Sequence, residues 1–176
     1  MDILIFAAAR TALGAFGGGL KDVTGVDLGS TVLRALLERS GVEPEQVAEV
    51  VLGQVLQAGG GPNGARQAAL RAGLSQGTPA LTLNQAGGSG LRAVALAARD
   101  RVAGTFAIGG GTESMSGSPY LLPGARWGAP IGPVEVVDSV LQDGGVVVEE
   151  PTQDPAAPPG PGGPAQDACV ASSRRK

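Results

Sequence analysis

The stretch that most constrains the fold is a short apolar strand that turns through small residues into a helix. Thr78 to Leu83 has the pattern of a short buried strand. After the turn, apolar residues recur at helical spacing until Gly104: Leu91, Val94, Ala95 and Ala98. This helix is apolar nearly all round, so we expect part of its surface to stay uncovered in this chain alone.

The turn itself reads Asn84-Gln85-Ala86-Gly87-Gly88-Ser89-Gly90. The start of a helix presents backbone N–H groups that no carbonyl of the same helix satisfies, and such groups stabilise negative charge. We therefore interpret the N–H groups of Gly87 and Gly88 as donors to a thioester oxyanion or a carboxylate. On chemistry alone, a glycine-rich turn that binds nothing is the alternative.

The rest of the readable chain alternates apolar strands with helices, which predicts an α/β layered fold with partly parallel pairing. The helix around Leu28 to Leu37 has Asp27 as its expected N-cap and Gly41 just past its end. The other predicted strands are Ile3–Ala9, which we expect to be buried, Val50–Leu56 and Thr105–Ile108. The other predicted helix is Asn63–Ala72.

Two other glycine-rich segments resemble nucleotide loops and fail the full pattern. The loop from Gly14 to Lys21 lacks the Gly-Lys-Ser/Thr that opens a helix in phosphate loops. Gly59, Gly61 and Gly64 fit the dinucleotide spacing, but no acidic residue follows at about twenty positions to hold a ribose. The sequence therefore predicts no nucleotide cofactor.

Composition excludes several classes of function. The chain has 13 basic and 16 acidic residues, and its net charge of −3 without a basic patch argues against nucleic acid as a partner. It has no histidine and one cysteine, Cys169, so we expect neither a metal site nor a nucleophile–histidine pair from these residues. No apolar run approaches a membrane span, and a soluble cytoplasmic protein is the expectation.

The last part of the chain differs in composition from the rest. Six prolines and three glycines occur among 151–164, a composition that opposes helices and central strands. We predict an ordered domain over residues 1–145 and a disordered tail over residues 146–176.

The turn resembles the active-site turn of thiolases, the acetyl-CoA acyltransferase family, whose pattern is Asn-x-x-Cys-Gly-Ser-Gly. Asn84, Gly88, Ser89 and Gly90 match this pattern, and Gly87 stands at the cysteine position. The resemblance implies a nucleophile at this position, and glycine has no side chain to acylate.

Further segments resemble the family in the same order and together cover roughly residues 3 to 144: Ala8–Thr11, Gly14–Gly18, Val26–Gly29, Gly53–Gly59, Asn63–Ala69, Gly110–Ser116 and Pro119–Gly128. The resemblance implies the N-terminal half of a thiolase-like layered fold, with a mixed sheet and helices on its faces. It also implies acyl-CoA as the ligand and thiolase-like subunits as partners in a homo- or hetero-oligomer.

Three hypotheses about function follow. The resemblance implies an ancestral acyl transfer between acyl-CoA and acetyl-CoA, and we expect no such activity from these residues because nucleophile and histidine are missing. The chain is alternatively a non-catalytic partner that pairs with an intact thiolase subunit through the family's dimer surface. An unrelated α/β ligand-binding domain is the third hypothesis.

Overall fold

The computed structural model describes residues 3–99, 105–128, 131–145 and 170–174, the last of these for its backbone alone. The elements in these ranges are β1 (Leu4–Ala9), α1 (Gly25–Ser40), β2 (Val47–Gly53), α2 (Gly64–Arg71), β3 (Ala80–Leu83), α3 (Ser89–Arg99), β4 (Phe106–Gly111), β5 (Tyr120–Leu121), β6 (Val137–Asp138), α4 (Ser139–Gly144) and β7 (Val170–Arg174). Short 3-10 helices lie at Pro44–Gln46 and Ala125–Trp127. No helix in the described ranges is long and apolar enough to cross a membrane.

Five strands form one mixed sheet in the order β1-β7-β4-β2-β3. Strand β2 pairs in parallel with β3 on one side and with β4 on the other. Strand β7 runs antiparallel to both of its neighbours, β1 and β4. A separate two-stranded sheet joins β5 to β6. The carboxyl ends of β2, β3 and β4 therefore lie at the same edge of the main sheet.

Helices cover both faces of this sheet. Val50 and Leu52 of β2 are buried in a core that includes residues of α1 and α2. Val51, which points to the opposite face, is buried with Ala93 and Ala97 of α3. The α/β class and the mixed sheet with helices on its faces are therefore confirmed.

Helix α1 begins earlier than the sequence pattern predicted. Its N-cap is Thr24, whose hydroxyl oxygen accepts a hydrogen bond from the N–H of Asp27 at 3.1 Å. Asp27 lies in the first helical turn, where its charge favours the positive end of the helix dipole. The expectation that Asp27 is the N-cap was wrong, because threonine supplies the same acceptor three residues earlier. Gly41 ends the helix at φ 65°, as predicted.

Helix α3 packs unusually close to the sheet. Its buried residues are Ser89, Ala93 and Ala97, whereas Leu91 keeps 79% of its surface exposed. A Cβ placed on Gly109 of β4 would lie 2.7 Å from both Ala97 Cβ and Val94 Cα. The small-residue face of α3 therefore rests on the glycine backbone of β4, whereas Leu91 points away from it and Leu96 is half-buried.

Strand β1 is not the buried strand that the sequence predicted. Ile3, Ile5 and Phe6 are exposed by 52%, 69% and 51%, and Ala9 is the buried residue of the strand. Phe6 contacts Phe106 with ring centroids 5.5 Å apart. A continuous apolar run indicates burial on both faces, but β1 lies at the edge of the sheet with little packed over it.

The predicted tail covers residues 146–176. Residues 146–169, including Cys169, and residues 175–176 lie outside the described ranges. Residues 170–174 form β7, which differs from the predicted disorder. Backbone pairing on both sides explains the difference, because two ladders of hydrogen bonds order a segment whose composition alone does not. The boundary at residue 145 stays a prediction.

We predict that Gly109→Ala destabilises the protein by about 1–3 kcal/mol, because the added methyl group overlaps the backbone of α3. Urea unfolding measures the change. The control is Gly19→Ala, since nothing lies within 4 Å of a Cβ at Gly19. Equal unfolding midpoints for the two variants would contradict the close packing of α3 on β4.

Candidate functional site

The turn between β3 and α3 is held by its own polar groups. Asn84 Oδ1 accepts a hydrogen bond from the N–H of Ala86 at 2.9 Å. The N–H of Gly88 donates to the carbonyl of Gln85 at 3.1 Å, and the N–H of Ser89 donates to the carbonyl of Ala86 at 3.1 Å. Ala86 has φ 47°, a left-handed conformation that L-residues seldom adopt. The chain thus reverses within four residues before the helix begins.

Ser89 is the buried anchor of this turn, with 5% of its surface exposed. Its hydroxyl oxygen accepts from the N–H of Gln85 at 2.9 Å and donates to the carbonyl of Ala86 at 2.6 Å. The hydroxyl therefore satisfies the N–H of Gln85 and adds a second hydrogen bond to the carbonyl of Ala86. In this geometry Ser89 holds the turn and does not present a free nucleophile.

Gly87 lies at the exposed tip of the turn. Nothing lies within 4 Å of a Cβ placed on it, and its φ is outside the left-handed region. The left-handed residue of the turn is its neighbour Ala86, so backbone strain at Gly87 would not penalise a cysteine there. The turn has both the space and the conformation for a side chain at this position.

The N–H of Gly88, which we predicted to donate to a ligand, already makes a hydrogen bond within the turn. Its N–H is already bonded to Gln85 within the turn, so a ligand would have to displace that bond to receive it. Donation by Gly87 and Gly88 to an oxyanion stays a prediction. Gly90 has a packing role, since its Cα lies 3.3 Å from where a Cβ of Gly111 would stand.

Glu113 is a buried acidic residue that the sequence analysis did not single out. It is 5% exposed, and its two carboxylate oxygens accept from the N–H groups of Val55 and Leu56 at 2.8 and 3.2 Å. Burial raises the pKa of Glu113, and the two backbone hydrogen bonds partly oppose that rise. The one signal in the sequence is an acidic residue two positions after an apolar strand that ends in glycines.

The segment containing Glu113 ties three parts of the chain together. Thr112 Oγ1 donates to the carbonyl of Gly25, and Ser114 Oγ donates to the carbonyl of Val23 at 2.8 Å. Ser116 Oγ accepts from the N–H of Gly17 at 2.9 Å. Residues 112–116 therefore fix the start of α1 and the loop before it against the carboxyl end of β4.

Two cavities lie near these contacts. The larger, about 590 Å³, opens between the start of α1, the loop after β2 and residues 114–119, and no residue of the turn lines it. The smaller, about 40 Å³, lies between the start of α3 and the ends of β2 and β4. Across the described ranges no three His, Cys, Asp or Glu residues cluster in a way that would hold a metal ion.

The fold and the turn define a class, an α/β protein whose glycine-rich strand–turn–helix lies at the carboxyl edge of a mixed sheet. Comparison with known proteins then narrows this class. The family model of the thiolase N-terminal domain matches residues 3–153. The chain belongs to the thiolase family.

Its relatives agree with this assignment. An acetyl-CoA acetyltransferase of Chromobacterium violaceum is 56% identical over 146 residues, which is 82% of this chain and 37% of that protein. An acetyl-CoA acetyltransferase of Cupriavidus necator is 51% identical over 145 residues, again 37% of its length. The crystal structure of the Bacillus anthracis acetyl-CoA acetyltransferase matches with a TM-score of 0.74 and 39% identity over 80% of this chain and 36% of that one. The chain thus spans somewhat more than a third of the length of these relatives.

We predict that Glu113→Gln destabilises the protein, because the new amide N–H₂ faces a backbone N–H donor. A buried donor left without an acceptor costs about 1–3 kcal/mol. Because burial raises the pKa of Glu113 above 4.5 in the folded state, its stabilising contribution is full below the unfolded pKa. That contribution falls as pH rises through the folded pKa.

The free energy of unfolding of the wild type minus that of Glu113→Gln should therefore shrink as pH rises from about 4. Urea unfolding between pH 4 and 7 measures it. The exposed Glu38→Gln is the matched control and should stay within about 0.5 kcal/mol of the wild type at pH 7. A difference that widens with pH would contradict the assigned direction of the Glu113 pKa.

Proposed function

We propose that these 176 residues carry the thiolase turn as a scaffold and do not catalyse acyl transfer by themselves. The observation that carries the proposal is Gly87, which stands at the exposed tip of the turn without a side chain. The resemblance to thiolases implies that position 87 is that of the nucleophilic cysteine. The ancestral activity is acyl transfer between acyl-CoA and acetyl-CoA, and the names of the relatives support that class.

The neighbouring groups do not replace the missing nucleophile. Ser89 has its hydroxyl engaged on both sides, by the N–H of Gln85 and the carbonyl of Ala86. A serine also needs an adjacent general base, and the sequence contains no histidine. Both oxygens of Glu113 are engaged by backbone N–H groups. Cys169 lies outside the described residues.

The decisive experiment restores the nucleophile. The wild-type chain and Gly87→Cys are assayed for coenzyme-A-dependent cleavage of acetoacetyl-CoA, with the intact Chromobacterium violaceum relative as positive control. We expect no turnover from either chain, because general base catalysis alone contributes about 10²–10⁴-fold and no base is supplied. We expect Gly87→Cys to fold as well as the wild type, since the position is open.

A second measurement keeps the result interpretable. The thiol of Gly87→Cys should react with iodoacetamide faster than a free cysteine, because the start of α3 favours its thiolate. Turnover by either chain above the buffer rate, retained after repurification, would overturn the proposal. Absence of folded Gly87→Cys by circular dichroism would contradict the open geometry of the turn.

The second candidate is a non-catalytic partner of intact thiolase subunits. It is favoured by large apolar side chains left exposed on β1 and α3, with Ile5 exposed by 69% and Leu91 by 79%. Isolated exposed apolar residues are ordinary, whereas contiguous ones mark interaction surfaces, and Leu4, Ile5 and Phe6 are exposed in succession along β1. Under this candidate the chain binds the subunit of a relative and leaves catalysis to it.

Co-purification tests this candidate directly. The tagged chain is mixed with the purified Chromobacterium violaceum relative and analysed by sizing chromatography. We expect a mixed complex that Leu91→Glu weakens at least about tenfold, since a buried leucine contributes roughly 1.5–3 kcal/mol. Gln76→Glu, at an exposed polar position, is the matched control. Independent elution of the two proteins at all concentrations would remove the partner candidate.

A further inference from the structure

The strand β7 occupies an interior position of the main sheet although it comes last in the sequence. It pairs antiparallel with β1, where Ala8 lies opposite Ala171, and with β4, where Ile108 lies opposite Ser172. The segment Val170–Arg174 thus fills a slot between two strands that come from distant parts of the chain. We call this position the β1–β4 slot.

An unfilled β1–β4 slot would leave two strand edges open. In the described part of the chain, β1 pairs its backbone with β7 and with no other strand. Strand β4 pairs with β2 on one side and depends on β7 on the other. Unpaired edges present rows of N–H and C=O groups that bind any suitable extended segment. The slot is therefore a strand acceptor with a ladder on each side.

The connection to β7 is long enough to reach more than one acceptor. Between α4 and β7 lie the 24 residues 146–169 with Gly145 before them. A chain of this length spans at most about 80 Å. A compact domain of about 145 residues has a radius of gyration of only about 15 Å. The length of chain therefore permits Val170–Arg174 to enter its own slot or that of a neighbouring molecule.

We propose that the β1–β4 slot also accepts Val170–Arg174 from a second copy of this chain, which gives a strand-exchanged dimer. The backbone pairs are the same in both arrangements, because each slot receives the same five residues. What decides between them is the protein concentration relative to the effective concentration set by the connection, which is on the order of millimolar. The proposal does not depend on the proposed function, since it involves no residue of the turn.

The experiment uses two full-length chains, both with Cys169→Ser. One carries Ala8→Cys and the other carries Ala171→Cys with a tag that changes its mass. The two are mixed in urea, refolded together between about 10 μM and 1 mM, a range that approaches the effective concentration from below, and oxidised. Because Ala8 and Ala171 are opposite each other in the register, a disulfide between the two chains forms when β7 of one lies beside β1 of the other.

We expect the mixed disulfide on non-reducing gels to rise at least about tenfold across this range, as the concentration approaches the effective concentration. The register control replaces Ala8→Cys by Ile5→Cys, because Ile5 lies opposite Ser173 and is too far from position 171 for a disulfide. The double variant Ala8→Cys/Ala171→Cys, refolded at low concentration, reports pairing within one chain.

Two results would overturn the proposal. A disulfide within the double variant, with mixed chains never above the register control, would show that the slot takes its own strand alone. Absence of any disulfide in the double variant would show that Val170–Arg174 does not occupy the slot. A mixed disulfide above the control that rises with concentration supports the exchange.

Discussion

The architecture depends on the direct contact between the start of α3 and the glycine ends of β2 and β4. A Cβ at Gly53 would overlap the backbone of Ser89, and one at Gly111 would lie 3.3 Å from Gly90 Cα. The backbone of α3 contacts the backbone of β2 and β4 directly. The sheet therefore fixes the position of the turn, without long side chains between them that could adjust. Small residues on both partners are the condition for this approach. Everything that the turn presents to solvent follows from that placement.

The polar groups around the contact act as supports for it. The Ser89 hydroxyl bonds the backbone of Gln85 and Ala86 within the reversal, and Glu113 holds the loop after β2 with two hydrogen bonds. Both side chains are buried, and a buried polar group that loses its partner is costly. These hydrogen bonds hold the turn and the neighbouring loop in place. The shape of the turn therefore does not rely on a side chain at Gly87.

Much of the fold was predictable because the local signals agree. Gly41 at the end of α1, the alternation of strands and helices, and the existence of a strand before Asn84 all follow from short-range preferences. The expected burial of that strand was wrong, because β3 lies at the edge of the sheet and Leu81 is 43% exposed. The exposure of β1 was not predictable, because an apolar run looks the same whether or not another layer covers it. The buried face of α3 was also hidden, since alanines at Ala93 and Ala97 carry a weaker hydrophobic signal than Leu91, which stays exposed.

The sequence by itself determined the family, the α/β class and the residue at each position of the turn, because these depend on local patterns read in order. Only the tertiary structure decided that Ser89 is an anchor, that strain lies at Ala86 and that Glu113 belongs beside Val55. It also placed Val170–Arg174 inside the sheet. These facts concern backbone angles or residues far apart in the sequence, such as Leu4 and Arg174, which pair across 170 positions. Pairing across such distances is set by the packed fold and not by neighbouring residues.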